Sequence, residues 1–185
     1  HLKTFQFILD HYYRLAWDRK PEFMGYEMEW DTPEYSRLYD TDLSFQDGSA
    51  QKRLVEYQNV CEAYDAVESN VSPALKPALF EMLGYSVHSA YQMNRKYLYA
   101  QANHETGNTF YADLCVRAEK EIQNLIDRYD SLLDGKWKHM IDEVTPGYTA
   151  LYQNMPDLVD KPTDAYRLPD NQRHPEFRHK IDLTS

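Results

Sequence analysis

The chain has 185 residues, 42% hydrophobic and 27% charged, with 16 tyrosines and a formal net charge of -10. That length suggests one domain with an appendage, and a chain of this size buries roughly 70% of its unfolded surface, enough for a real core. Phosphate backbones and anionic lipid attract clusters of Lys and Arg. None is present, so neither nucleic acid nor membrane is an expected partner, and no apolar run approaches the ~20 residues of a membrane span.

Leu2, Phe5, Leu9, Tyr12 and Ala16 recur every three to four residues, which predicts a helix over 2–19. Pro21 ends it, because the residue before a proline avoids the α region. Residues 21–48 are irregular, punctuated by Gly25, Pro33 and Gly48. They nonetheless carry Phe23, Met24, Trp30, Tyr35, Tyr39 and Phe45, and a long loop this rich in aromatics either packs onto something or binds something. A second helix is predicted over 49–70, with Leu54, Tyr57, Cys61, Tyr64, Val67 and Val71 as its apolar stripe. Ser72 suits an N-cap and Pro73 the first position of a third helix, predicted over 73–104. Pro77 still falls near the first turn, where proline is tolerated. The stripe there is Leu75, Leu79, Met82, Leu83, Val87, Ala90, Met93 and Tyr97, and Gly107 fits the left-handed position that closes a helix.

A fourth helix is predicted over 109–133, with Asn108 as its cap. Its stripe is Phe110, Leu114, Ala118, Ile122, Leu125, Tyr129 and Leu132, with Gly135 beyond it. A short fifth helix is predicted over 137–144, stopped by Pro146 and Gly147. Four prolines, Pro156, Pro162, Pro169 and Pro175, interrupt the remainder, which has no helical period. The expected fold is all-α: an antiparallel four- to five-helix bundle over 1–147 with an aromatic-rich loop. An extended irregular tail, 148–185, then lies on the body or leads toward a further domain. Cys61 and Cys115 are too far apart for a zinc knuckle, and two buried thiols are expected in preference to a single disulfide. The start at His1 rather than Met suggests a processed protein or a piece of a longer one.

Chemistry is hard to find. A di-iron bundle needs Glu-x-x-His pairs, which place both ligands on one inward face, and none occurs. His139 and Glu143 would supply half a site at best, and His88 reads as a hydrogen-bonded core residue. No Gly-x-Ser-x-Gly elbow and no glycine-rich phosphate loop is present. Asp65 and Glu68 read as a solvated helix face. No catalytic residue, metal ligand or cofactor is therefore expected. The loop aromatics Trp30, Tyr35, Tyr39, Trp137 and Tyr148 either cover bundle ends or contact a ligand such as a sugar ring.

One span carries more information. "GKWKHMID", then "GYT", then "MP", between Gly135 and Pro156, resembles a run found after the barrel in the family 115 glycoside hydrolases, the xylan α-1,2-glucuronidases. Gly135, Lys136, Trp137, His139, Met140, Asp142, Gly147, Tyr148, Thr149, Met155 and Pro156 match that pattern. Asp134, Lys138, Ile141, Glu143 and Pro146 depart from it. "RKPE" at Arg19–Glu22, "EYS" at Glu34–Ser36, "RLVEY" at Arg53–Tyr57 and "MNRKYLYA" at Met93–Ala100 resemble the same family, in the same order.

The resemblance implies a parent enzyme with a catalytic barrel upstream, which removes glucuronic acid from xylan with inversion. Such chemistry uses two carboxylates roughly 6.5–9.5 Å apart. A barrel takes ~250 residues of alternating strand and helix, and this chain holds neither. It is thus expected to be a helical accessory or interface domain, inactive alone, whose partners are the barrel and neighbouring domains, with xylan and a homodimer partner as further candidates. Family analogy places the parent outside the cytoplasm, secreted or periplasmic. Trp137, His139, Asp142, Tyr148 and Tyr35 are the candidate interface or substrate contacts, with His139 and Asp142 one helical turn apart. Two other readings stay open: a stand-alone carbohydrate-binding bundle, and an independent hydrolase or metal bundle.

Overall fold

The computed structural model describes residues 2–21, 24, 41–141, 156, 158 and 159. The regular elements among them are all helical. α1 spans Leu2–Asp18, α2 Ser49–Asn70, α3 Lys76–Leu79, α4 Tyr85–Thr106 and α5 Thr109–Asp130. A 3-10 turn, Pro73–Leu75, leads into α3; a π-turn, Phe80–Gly84, joins α3 to α4; a second 3-10 turn, Leu132–Gly135, follows α5. The expected all-α bundle is what the chain forms.

In α2 and α5 the apolar stripes face the core as the spacing predicts: Leu54, Tyr57, Cys61, Tyr64 and Val67 are buried, as are Leu114, Ala118, Ile122 and Tyr129. Both thiols are free and buried. Burial pushes the Cys115 thiol up to about 12 and Cys61 well above its usual range. Gly107 takes the left-handed conformation that closes α4, and the Asn108 side chain accepts the Phe110 N–H at 3.0 Å to open α5. Ser72 precedes its turn but makes no capping bond through its side chain.

Two stripes differ from expectation. α1 buries Ile8 and Leu15, with Phe5 and Tyr12 packed beside them, while Leu2 and Leu9 face outward. Apolar residues lie on two faces of α1, so a period of three to four can be threaded along either. In the third helix Leu75 and Met82 are exposed. The π-turn is the reason for Met82: its i→i+5 bonding adds a residue to one turn, so positions before and after it no longer share a face. The turn sits where Gly84 meets Tyr64. A Cβ on Gly84 would lie 2.3 Å from the Tyr64 hydroxyl and 2.7 Å from Phe80, so glycine alone fits.

The expected fifth helix over 137–144 does not form over its described part, 137–141. Leu133, Asp134 and Gly135 are left-handed in succession (φ 50, 57 and 83°), as is His139 (φ 66°). Right-handed helix cannot pass through such a run. The chain instead makes successive turns, Lys136 N–H to Leu133 C=O, Lys138 to Gly135 and Met140 to Trp137. Residues 142–144 lie outside the described residues.

α1 packs on α2, α2 on α4 and α4 on α5, so the helices follow one another as a row with α1 and α5 at its edges. Neighbours run antiparallel: Arg53 meets Asn94 while Cys61 meets Val87, and Lys96 meets Glu119 while Tyr99 stacks near Tyr111. Central α4 is buried at every position from 90 to 103. Its polar residues are paired accordingly, since a buried polar group without a partner is costly. Lys96 Nζ lies 2.7 Å from Glu119. Gln101 Nε2 donates to the Leu43 carbonyl at 2.9 Å, and the Thr41 hydroxyl donates to Gln101 Oε1 at 2.8 Å. The Val159 N–H donates to Asn103 Oδ1 at 2.9 Å, which fixes that part of the tail against the body.

Candidate functional site

The corner after α5 holds two of the five candidates named from the sequence. Trp137 is half-buried and packs against the core, with Lys136 Nζ 4.7 Å from its ring centroid. His139 is exposed, and its backbone N–H donates to Asp130 Oδ1 at 3.1 Å. Asp130, the last residue of α5, thereby holds the strained corner. Leu133 and Met140 stand outward around Trp137. The corner is thus an anchored ring with an apolar fringe, and His139 within it is left-handed rather than helical. Asp142, Tyr148 and Tyr35 lie outside the described residues, as do Glu143, Trp30 and Tyr39.

A second polar assembly bridges the helices. His88 Nε2 and Asp65 Oδ1 are 3.0 Å apart between α4 and α2. The Tyr64 hydroxyl donates to Glu68 Oε1 at 3.0 Å, and Arg128 from α5 reaches the same carboxylate. The Arg128 guanidinium lies 3.7 Å from the Phe80 ring centroid, over the π-turn. Burial, helped by the Glu68 contact, pushes the Tyr64 hydroxyl well above its usual range. Glu68 therefore bridges helices, and Asp65 reaches His88 from the exposed face on which it lies. His88 is hydrogen-bonded as expected, but at the edge of the core. A tyrosine held neutral and a carboxylate neutralised by arginine make a poor acid–base pair and a good strut.

A third assembly is centred on Arg53 in α2. Its guanidinium is buried, lies 5.2 Å from the Tyr57 ring centroid, and donates to Asn94 Oδ1 at 2.6 Å. It also donates to the carbonyls of Leu15 at 3.2 Å and Arg19 at 2.7 Å. One side chain thus receives the C-terminal end of α1, where helix carbonyls lack partners, and joins α1, α2 and α4. Burial lowers its pKa. A cavity of about 340 Å³ lies beside it, lined by Arg14, Asp18, Arg19, Asp42, Lys52 and Glu56 among others. Charges of both signs alternate around it, and Arg19 pairs with Asp42 at 3.0 Å and Arg14 with Glu56 at 3.4 Å.

One open apolar feature lies apart from the candidate residues. The outer face of α1 carries Leu2, Leu9, Tyr13 and Trp17, and Trp17 is 91% exposed. Beside it Tyr12, Tyr13, Ala16, Trp17, Lys20 and Pro21 line a groove of about 520 Å³. The signal was present in the sequence as a second apolar series at 2, 9, 13 and 17. Among the described residues no group of three His, Cys, Asp or Glu is placed to hold a metal ion, and no helix is long and apolar enough to cross a membrane.

A solved structure shares this architecture. A family GH115 4-O-methyl-α-glucuronidase with specificity for decorated arabinogalactans is similar with a TM-score of 0.70 and 32% identity, over 90% of this chain and 22% of that one. The chain therefore spans about a fifth of that protein's length. No family model matches the chain, and no curated protein matches it. The similarity bears out the family 115 resemblance read from the motifs between Tyr12 and Pro156.

Proposed function

We infer that the chain is the helical domain of a larger family 115 glucuronidase and that it supports the catalysis without performing it. One observation carries this reading: nine-tenths of the chain matches a glucuronidase of which it spans only 22%. The described residues agree with it. Among them, buried Lys96 and Arg53 are committed to struts between helices, Lys96 to Glu119 and Arg53 to Asn94.

The parent reaction would be inverting hydrolysis of glucuronic acid side chains from a plant polysaccharide, with the two carboxylates on a barrel outside these residues. Xylan is the proposed polysaccharide, while the similar enzyme's specificity for decorated arabinogalactans names the competing one. A corner built on Trp137 and His139, with Asp142, Tyr148 and Tyr35 as further members, serves as an interface to neighbouring domains or a second subunit. Secretion or periplasmic location goes with a polysaccharide substrate too large to enter a cell.

The test is release of glucuronic acid from decorated xylo-oligosaccharides and arabinogalactan fragments. The intact protein should release it and the 185-residue chain alone should not. Release by the chain alone would overturn the non-catalytic role.

A further inference from the structure

The two edges of the helical row differ in kind. The outer face of α5 exposes Arg117, Lys120, Glu121, Gln123, Asn124 and Asp127, with Val116 as its apolar residue. That is a face made for water. The opposite edge, α1, exposes Leu2, Leu9, Tyr13 and Trp17 in one line along the helix. Lys3, Asp10, Arg14 and Asp18 flank the line. The other side of α1 already packs on α2 through Ile8 and Leu15. A helix apolar on two faces belongs between two layers, and among the described residues only one layer is in place. An apolar centre with a charged rim is also how protein interfaces are built.

We propose that the outer face of α1 seats another domain of the same enzyme, with Trp17 as the anchor; this rests on reading the chain as one domain of a larger glucuronidase. The kind of partner follows from two observations. The similar enzyme has more than three-quarters of its chain outside the matched region, so a large body of the same polypeptide is available to cover the face. The line also contains Leu2 and Leu9, and leucine offers a sugar neither a flat ring nor a hydrogen bond, whereas it fills an apolar protein pocket well. The groove between Tyr12, Tyr13, Trp17 and Pro21 would receive a side chain from that domain.

Hydroxyl-radical footprinting of the intact protein tests this, with Trp17 and Met82 oxidation compared in native and denatured samples by mass spectrometry. Met82, 77% exposed on the π-turn, is the internal reference. Docking for nine-tenths of the time would slow Trp17 oxidation roughly tenfold and leave Met82 nearly unchanged. Trp17 oxidised as readily as Met82 in an intact multidomain protein would overturn the docking inference and leave the proposed function standing. A coding sequence with no further domain would remove the proposed function, and this inference with it. Protection that appears only on adding uronic-acid oligosaccharide, or only as protein concentration rises, would also overturn it, in favour of a sugar site or a second copy respectively.

Discussion

Among the described glycines, Gly84 has the least room for a side chain. It was not singled out in the sequence, because a lone glycine within a helical pattern shows nothing of the side chain that crosses it. The structure supplies that side chain, since a Cβ would lie 2.4 Å from the Tyr64 ring as well as 2.3 Å from its hydroxyl. Gly84→Ala should therefore destabilise by about 1–3 kcal/mol, as overpacking does, measured by urea unfolding. Pairing it with Tyr64→Phe should recover part of the loss, because one of the two short contacts disappears, and a double-mutant cycle should show coupling above about 0.5 kcal/mol. Strictly additive effects would mean that Tyr64 and Gly84 do not meet.

Helices were the legible part of the sequence. Periodicity located α2 and α5 and the turn at Gly107–Asn108 closely, since α2 has a clear apolar stripe and α5 has both a stripe and the Asn108 cap. It failed at the π-turn, where an added residue breaks the period, and at 137–141, where Leu133 and Asp134 adopt left-handed angles their side chains do not advertise. It also misread α1, whose two apolar faces answer to one period. What spacing cannot show is a clamp across elements. Arg53 belongs to the familial "RLVEY", yet its role lies in three partners on α1, on α4 and just past the end of α1. Arg53→Met should cost about 3 kcal/mol, because buried acceptors lose a charged donor. Arg53→Lys should recover little, since one ammonium cannot span the same fork. Limited trypsin digestion should then cut first at Arg14 or Arg19, as the C-terminal end of α1 comes loose. Unchanged cleavage in the Met variant would remove Arg53 as the clamp.

Across the whole molecule the shifted acidic groups of the core point one way. Cys61, Cys115, Tyr64 and Tyr129 are all pushed up, with burial the leading cause. Each stays neutral in the folded chain while its unfolded counterpart ionises, the thiols from about 9 and the tyrosines from about 10. The unfolded state therefore binds fewer protons in this range. The stability these groups contribute is complete below pH 9 and falls as pH rises from there toward 12. Arg53 shifts the opposite way, its guanidinium pKa lowered by burial from the usual strongly basic range, so its effect comes at the far end of the window. Urea midpoints should hold steady up to pH 8.5 or so and then fall, and Cys115→Ala should flatten the first part of the fall. A midpoint insensitive to pH between 9 and 11 would mean that the thiols are not buried. The candidate site was the least legible at this scale. Trp137 and His139 could be named from a motif, whereas the α1 face becomes visible only when one edge of the row is compared with the other.

The two-residue link between α4 and α5 also bears on how the chain reaches its fold. Closing so short a loop removes little chain entropy, so this hairpin is the quickest pairing of distant segments to form. α1 must find α2 across the whole of residues 19–48, and its carbonyls have no guanidinium to meet until α2 has ordered. Assembly then runs from the middle of the sequence toward its start, opposite to the direction of synthesis. While these residues emerge from the ribosome, α1 would lack its α2 partner until α2 has been made, so within this domain the helix made first settles late onto its neighbours.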